Sequence, residues 1–249
     1  MKKLKSTKTL KAIARERLLG HYGTTISALI LYRFISFLIV NIIVGAIIPN
    51  NLITYLIYFG ATILVNLFFG VFESGIAYLF MNIVYGQSAS VGDLFHGFQN
   101  HPDKAIILQI PIAVMDTLTM IPIQVLSVIL ATNAKIPGNI NPQITFTVVG
   151  IIAVLVILNI YVRLMFSQSY YILQDFPEKS ATSILKTSAR LMKGNKGKLF
   201  LLYLSFIPMG LIGMLACFIP FFWVTAYLVT SDAAFYQDLV SVSADNSGI

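Results

Sequence analysis

The stretch SARLMKGNKGKLFLLYLSF, from Ser188 to Phe206, passes from a basic, glycine-containing segment directly into an almost wholly apolar run. Such a transition is typical of the point where a chain enters a membrane. The part GNKGK lacks the G-x-x-x-x-G-K-[ST] spacing that holds nucleotide phosphates, and no aromatic residues alternate with its basic ones for base stacking. We therefore interpret Lys193, Lys196 and Lys198 as the basic residues that mark the start of a spanning helix. We expect no nucleic-acid partner.

The composition of the whole chain agrees with a membrane protein. Its 249 residues are 57% hydrophobic and 11% charged, and the mean hydropathy is +0.82. Soluble domains carry about 25% charged residues. Cys217 is the single cysteine, which excludes an internal disulfide and a zinc site built from several cysteines.

Six stretches are long and apolar enough to be spanning helices, which need about 20 residues each. They are 24–48, 52–72 (with an extension to Val84 left open), 104–131, 144–171, 198–216 and 219–238. The sequence therefore predicts an all-α membrane protein, a bundle of six transmembrane helices. We expect residues 1–241 to form one integral membrane domain and residues 242–249 to form a disordered cytoplasmic tail.

The basic residues are concentrated on one side of this predicted bundle. Residues 1–23 hold seven Lys or Arg and residues 173–198 hold six, and six spans place both segments on the same side. The opposite side carries Lys135 alone. Because basic loops stay in the cytoplasm, we expect a multi-pass protein of the cell membrane with both termini cytoplasmic.

Two segments outside the spans have the pattern of amphipathic helices, residues 177–193 and, more weakly, residues 8–19. In the first, apolar residues recur at helical spacing from Ala181 to Met192, with Pro177 in the first turn and Gly194 as the stop. We predict two interfacial helices on the cytoplasmic surface. The basic face then comprises Lys179, Lys186, Arg190, Lys193, Lys196 and Lys198. This face suits anionic lipid headgroups, or alternatively a docking partner such as another membrane protein or a second copy of the chain.

Ionisable residues within spans are candidates for function. The predicted spans contain Arg33, Glu73, Asp116, Arg163 and Asp232, and Asn66 shares a helical stripe with Gly70, Glu73 and Ala77. Depth estimates predict two ion pairs, Arg33 with Asp116 and Glu73 with Arg163. These charges serve either to fix helix packing or to form a polar pathway for a proton, an ion or a lipid headgroup.

No recognisable catalytic or metal-binding set accompanies these residues. His21, His96 and His101 lie near Asp93 and Asp103, but their spacing fits no known metal site. The sequence therefore predicts no catalytic residues, no metal and no cofactor, and a membrane enzyme acting on lipids is the weakest of the functional classes.

A family resemblance rests on blocks along most of the chain. The main block is YYILQDFPEKSATSILKTSARLMKGNKGKLFLLYLSF at 170–206, and ARERLLGHY at 14–22, GDLFHGF at 92–98 and AFYQDL at 234–239 accompany it. These blocks resemble domain-of-unknown-function family 975. The resemblance implies a bacterial, mostly Gram-positive, integral membrane protein with six helices, and it implies no activity.

The leading expectation is a non-enzymatic plasma-membrane protein that engages anionic lipid or a membrane partner through the basic face. The alternative is a small transporter or lipid-translocating protein that uses the charges within the spans.

Overall fold

The computed structural model describes residues 4–135, 142–215 and 219–247. This part of the chain is helical and contains no β-strand. Five of its stretches are long and apolar enough to cross a membrane: Tyr22–Val44, Leu52–Tyr85, Pro102–Ala131, Pro142–Asp175 and Lys196–Leu215. Cys217, the end of the fifth predicted span at 216 and the last two residues of the predicted tail lie outside the described residues.

The helices follow one another with short connections. The chain begins with α1 (Thr7–Leu18) and α2 (Tyr22–Ile39), which continues as a π-helical segment over Val40–Val44. Next come α3 (Leu52–Tyr85), a 3₁₀ turn (Val91–Phe95), α4 (His96–Gln99) and α5 (Pro102–Lys135). The remaining helices are α6 (Pro142–Phe166), α7 (Ser169–Asp175), α8 (Ala181–Leu191), α9 (Lys196–Leu204), α10 (Ile207–Leu215) and α11 (Ile219–Ser247).

Local sequence signals set several of these boundaries. Asn51 and Thr54 form a capping box that satisfies free backbone N–H groups at the start of α3. Gly86 ends that helix with a φ of 73°, a left-handed conformation that glycine adopts without steric penalty. Pro111 and Pro122 lie inside α5, which continues through both.

The last helix differs from the prediction in two ways. The predicted sixth span at 219–238 lies within α11, which is not among the five apolar stretches. Thr230, Ser231 and Asp232 stand in the middle of this helix and lower its hydropathy. In addition, α11 continues to Ser247, so residues 242–247 are helical where the sequence predicts a disordered tail.

Burial divides the long helices into two parts. In α3, exposed apolar side chains extend to Phe68, whereas most residues from 70 to 84 are buried. In α6, exposed apolar side chains extend to Tyr161, and burial becomes continuous through residues 168–173 of α7. We call the exposed stretches, 52–68 of α3 and 144–161 of α6, the apolar band. The buried part, 70–84 and 164–173 with α1, α4 and α8 packed around it, is the packed end.

The length of α3 explains this division. Its 34 residues extend for about 51 Å, whereas the hydrocarbon core of a bilayer is about 30 Å thick. A helix of this length cannot fit entirely within lipid unless it tilts strongly. The packed end supplies protein neighbours for the excess length.

Close contact at the packed end depends on two glycines of α3. A Cβ atom at Gly75 would lie 2.0 Å from the carbonyl oxygen of Leu94 in the 3₁₀ turn. A Cβ atom at Gly70 would lie 2.7 Å from the Cβ of Gln109 on α5. Neither position has room for a side chain, so both glycines allow their neighbours to pack closely.

The two predicted amphipathic helices form as α1 and α8, but the protein covers their apolar faces. Leu10 and Leu18 of α1 are buried in the core, and so are Ile184 of α8 and Met192, which follows it. These apolar faces contact protein, as an apolar helical face can be buried against protein as well as against lipid. That the two helices lie at a membrane surface stays a prediction. α8 also begins at Ala181, with Ser180 as its N-cap, and not at Pro177.

Candidate functional site

An ion pair between α5 and α6 is the centre of the most extensive polar network in the described residues. The Arg163 Nη2 atom lies 2.6 Å from Oδ1 and 2.7 Å from Oδ2 of Asp116. Asn66 of α3 donates a 3.1 Å hydrogen bond to Asp116, and Asn159 of α6 donates one of 2.9 Å. Asn159 also accepts a 2.8 Å hydrogen bond from Nε of Arg163, so the amide holds both charged partners in place.

The network continues from Asp116 into the packed end. The hydroxyl of Tyr170 donates to Gln109 Oε1 at 2.7 Å, and Gln109 Nε2 donates to Asn66 Oδ1 at 2.7 Å. Asn66 in turn donates to Asp116, so every donor in this series points toward the carboxylate. Such a chain is polarised by the charge at its end and holds that charge in a fixed position.

These contacts correct both predicted ion pairs. Asp116 pairs with Arg163, and neither Arg33–Asp116 nor Glu73–Arg163 is an ion pair in the part of the chain that the structure describes. The depth estimate failed because α6 and α7 together reach Asp175, beyond the predicted end at 171. Arg163 therefore lies about 18 Å from that end. Asp116 lies at a similar depth, about 21 Å from the start of α5 at Pro102.

Glu73 lies near this pair but has a different partner. Its Oε1 atom accepts a 2.8 Å hydrogen bond from the hydroxyl of Tyr32 on α2. The guanidinium groups of Arg33 and Arg163 attract Glu73 electrostatically from beyond ion-pair distance. Glu73 is therefore a carboxylate whose hydrogen-bonding partner, among the described side chains, is a neutral hydroxyl.

A cavity of about 320 Å³ joins Glu73 to the network. Its polar wall includes Tyr32, Asn66, Glu73, Gln109, Asp116 and Arg163. Its apolar wall includes Phe69 and Met120, together with Val40 and Val44 from the two ends of the π-helical segment. π-Helical turns occur frequently at functional sites, because they shift side chains out of the regular helical register.

The cavity lies at the boundary between the apolar band and the packed end. Side-chain exposure is 52% for Arg163 and 24% for Asp116, so the pair is partly accessible. On α6, Arg163 falls between exposed Tyr161 and buried Leu164. The charges therefore stand at one edge of the apolar band and not in its middle.

Two further carboxylates, Asp175 and Asp232, lie beside the packed end. Asp175 accepts hydrogen bonds from Tyr236 at 2.7 Å and from Tyr85 at 3.3 Å. Asp232 accepts longer ones from Gln168 at 3.3 Å and Tyr171 at 3.4 Å.

The predicted basic face is mostly exposed. The side chains of Lys186, Arg190, Lys193 and Lys198 are exposed, since the apolar face of α8 is turned into the protein. The other two members contact aromatic rings: Lys179 lies 4.0 Å from the ring centroid of Phe176, and Lys196 donates a 2.9 Å hydrogen bond to Tyr161.

Tyr32, Gln109 and Asn159 belong to the site although the sequence analysis does not single them out. Two of them carry a spacing signal: Gln109 is seven residues before Asp116 and Asn159 is four before Arg163, which places each pair on one helical face. Tyr32 carries no comparable signal. No group of three His, Cys, Asp or Glu that could hold a metal ion occurs in the described ranges.

Comparison with known proteins gives one match. The family model described as "Protein of unknown function (DUF975)" matches residues 1–243. Searches of curated proteins and of solved structures find nothing that matches the chain.

Proposed function

From the premise that the chain belongs to the DUF975 family, we propose that it is a non-enzymatic membrane protein that binds a cationic group beside Glu73. The observation that carries this proposal is the pairing inside the cavity. Asp116 is neutralised by Arg163, whereas Glu73 is held by a neutral tyrosine hydroxyl. A cation in the cavity would complete the charge balance around Glu73, because a carboxylate removed from water needs a counter-charge or a proton.

The two walls of the cavity favour an ammonium group on an apolar body. The carboxylate and amide side accepts the N–H donors, and the valine, phenylalanine and methionine side contacts hydrocarbon. The position at the edge of the apolar band would admit such a molecule from the membrane. This arrangement supports the transporter or lipid-translocating class that the sequence analysis gives as the alternative.

Binding of n-hexylammonium to the protein in lipid nanodiscs tests this proposal. We expect it to raise the apparent melting temperature by about 3 °C or more at ten times its Kd, and we expect hexanol and hexanoate not to do so. Glu73→Gln should abolish the effect, whereas Glu178→Gln, which neutralises an exposed acid outside the cavity, should preserve it. If hexanol stabilises equally, or if the Glu73 variant still responds, then the cavity does not select for positive charge.

The proposed topology has six crossings with both termini in the cytoplasm. Its support is the contact between the two ends of the chain: the Lys5 backbone N–H donates to Asp238 at 2.7 Å, and the Lys5 ammonium lies 3.7 Å from the same carboxylate. Because five crossings alone would place residues 5 and 238 on opposite sides, we infer that α11 crosses as well and returns the chain. Green fluorescent protein fused to either end should fluoresce in bacteria, and a dark fusion at one end would refute this topology.

The basic face gives a second candidate function, the engagement of an anionic membrane surface or of an acidic partner. Its support is the outward exposure of Lys186, Arg190, Lys193 and Lys198. A basic residue near an anionic membrane contributes about 1 kcal/mol. In this case, replacing Lys186, Arg190 and Lys193 with Gln should weaken binding to the anionic membrane surface or acidic partner. Hexylammonium binding should be unaffected.

A further inference from the structure

A second cavity, of about 360 Å³, shares no lining residue with the Glu73 cavity. It is an open cavity bordered by α2, α9, α10 and α11. Its wall is largely apolar, with Phe206, Ile207, Leu211, Met214 and Leu228 among the lining residues. Arg33 is its charged group, and Tyr203, whose hydroxyl is hydrogen-bonded to Asp232, also lines it.

The charge on Arg33 has no carboxylate partner at ion-pair distance in the part of the chain that the structure describes. Its described contact is with the ring of Tyr32, whose centroid lies 5.6 Å from the guanidinium carbon. Arginines on spanning helices are normally paired or reach the headgroup region. Arg33 therefore presents hydrogen-bond donors and a positive charge at the end of an apolar wall.

We propose that this cavity is a specific site for one anionic phospholipid. Arg33 binds the phosphate, because the planar guanidinium makes two parallel hydrogen bonds to phosphate oxygens. One acyl chain lies along α10, where Leu211, Ile212 and Leu215 are exposed. The membrane itself supplies the ligand, which is why a phospholipid fits better than a soluble anion.

This site goes beyond the proposed function, because its charge is opposite to that of the Glu73 cavity and its lining residues differ. It also differs from the basic face, where several exposed cations attract a membrane surface without a cavity. A single lipid held by Arg33 should remain bound after the protein is extracted into detergent.

Native mass spectrometry of the detergent-purified protein tests the proposal, with dioleoylphosphatidylglycerol, dioleoylphosphatidylcholine and oleate as probes. We expect one phosphatidylglycerol to bind with at least about tenfold preference over the other two, and we expect Arg33→Gln to lower its affinity about tenfold. Arg33→Lys should retain part of the affinity, because the charge remains.

Gly210→Leu tests the cavity while leaving Arg33 unchanged. Gly210 lines the cavity, and a Cβ atom there would meet nothing within 4 Å, so we expect the leucine side chain to extend into the cavity. We expect this variant to lose phosphatidylglycerol as well. The Lys186, Arg190 and Lys193 triple Gln variant is the control and should keep it.

Three outcomes would overturn the proposal. The first is a phosphatidylglycerol affinity that is unchanged in both Arg33→Gln and Gly210→Leu. The second is that phosphatidylcholine binds as tightly as phosphatidylglycerol. The third is that oleate binds more tightly than phosphatidylglycerol, which would assign the cavity to a carboxylate amphiphile. Loss of hexylammonium binding in Glu73→Gln would not bear on this result, so the two proposals fail independently.

Discussion

Neutralising Asp116 is the sharpest test of the network, because this side chain receives hydrogen bonds from three residues. Two come from Arg163 and one each from Asn66 and Asn159. Asp116→Asn keeps the size of the side chain but removes its charge and turns one acceptor oxygen into a donor. That donor would then face other N–H groups, so we expect the variant to unfold more easily than the parent.

The magnitude follows from the distances and the exposure of the pair. Two unit charges about 4 Å apart interact with about 4 kcal/mol at an effective dielectric of about 20. The pair is partly exposed, at 52% for Arg163 and 24% for Asp116, so solvent screening reduces this value. Breaking a fully buried pair costs about 3–5 kcal/mol and a surface pair about 0–1, and we therefore expect about 2 kcal/mol. For a chain of this length, that loss lowers the apparent melting temperature by about 4–8 °C.

The assay is unfolding in mixed micelles with increasing dodecyl sulfate, followed by circular dichroism, on a double-mutant cycle. Asp116→Asn combined with Arg163→Gln should show a coupling of about 1 kcal/mol or more, because either change alone already breaks the pair. Asp116→Asn combined with Arg33→Gln should be additive within about 0.5 kcal/mol. Asp103→Asn, an exposed position on the same helix, is the matched control and should cost less than about 1 kcal/mol.

Coupling to Arg33 without coupling to Arg163 would refute this reasoning and restore the pairing that depth alone predicts. Full stability of Asp116→Asn would refute it in another way. The charge would then be maintained for a purpose other than folding, and the Glu73 cavity would gain importance as a binding site.

Three further predictions concern the packed end and the N-terminal helix. Gly75→Ala should lower the free energy of unfolding by about 2 kcal/mol or more, because its Cβ would lie 2.0 Å from a backbone carbonyl oxygen. Gly150→Ala is the control and should be neutral or stabilising, because a Cβ there meets nothing within 4 Å. Lys11→Met should lower the melting temperature by about 2–4 °C, because it removes a 3.0 Å hydrogen bond to the free carbonyl at the end of α9, and Lys8→Met should not. Burial lowers the pKa of His96, so its neutral form is favoured in the folded state. The stability it contributes is present above about pH 6.5 and is lost as the pH falls through the lowered pKa. The melting temperature should therefore change less between about pH 7.5 and 5.5 in His96→Gln than in the parent.

The helical class of the protein and five of its long apolar stretches can be predicted from the sequence, because hydropathy over about 20 residues is a strong local signal. The inward face of α8 can also be predicted, since helical periodicity identifies which residues share a face. Whether lipid or protein covers that face cannot be predicted from the sequence. Ile184 would be buried equally well by lipid or by protein, and the choice depends on tertiary contacts of α8 with α5, α6 and α7.

The pairing of charges could not be predicted for a similar reason. Depth along a helix is known only as well as its ends, and an error of one turn displaces a side chain by about 5.4 Å. Rotation about the helix axis adds a second unknown. Arg163 could have been assigned to either acid by depth alone, and only the packing of α5 against α6 brings it to Asp116.

Rotation also explains how two neighbouring residues come to line different cavities. Successive residues in an α-helix point about 100° apart, so Tyr32 faces Glu73 while Arg33 faces the wall formed by α10 and α11. A single helix, α2, thus separates a cavity with an excess carboxylate from one with an excess guanidinium. The two charges attract each other across the helix without meeting, and each therefore stays available to a ligand of opposite charge. If a ligand neutralised one of them, the other would lose part of its electrostatic partner and bind its own counter-ion more tightly. Occupation of the Arg33 cavity by an anionic phospholipid should consequently increase the affinity of the Glu73 cavity for hexylammonium, and Arg33→Gln should remove that dependence on the lipid.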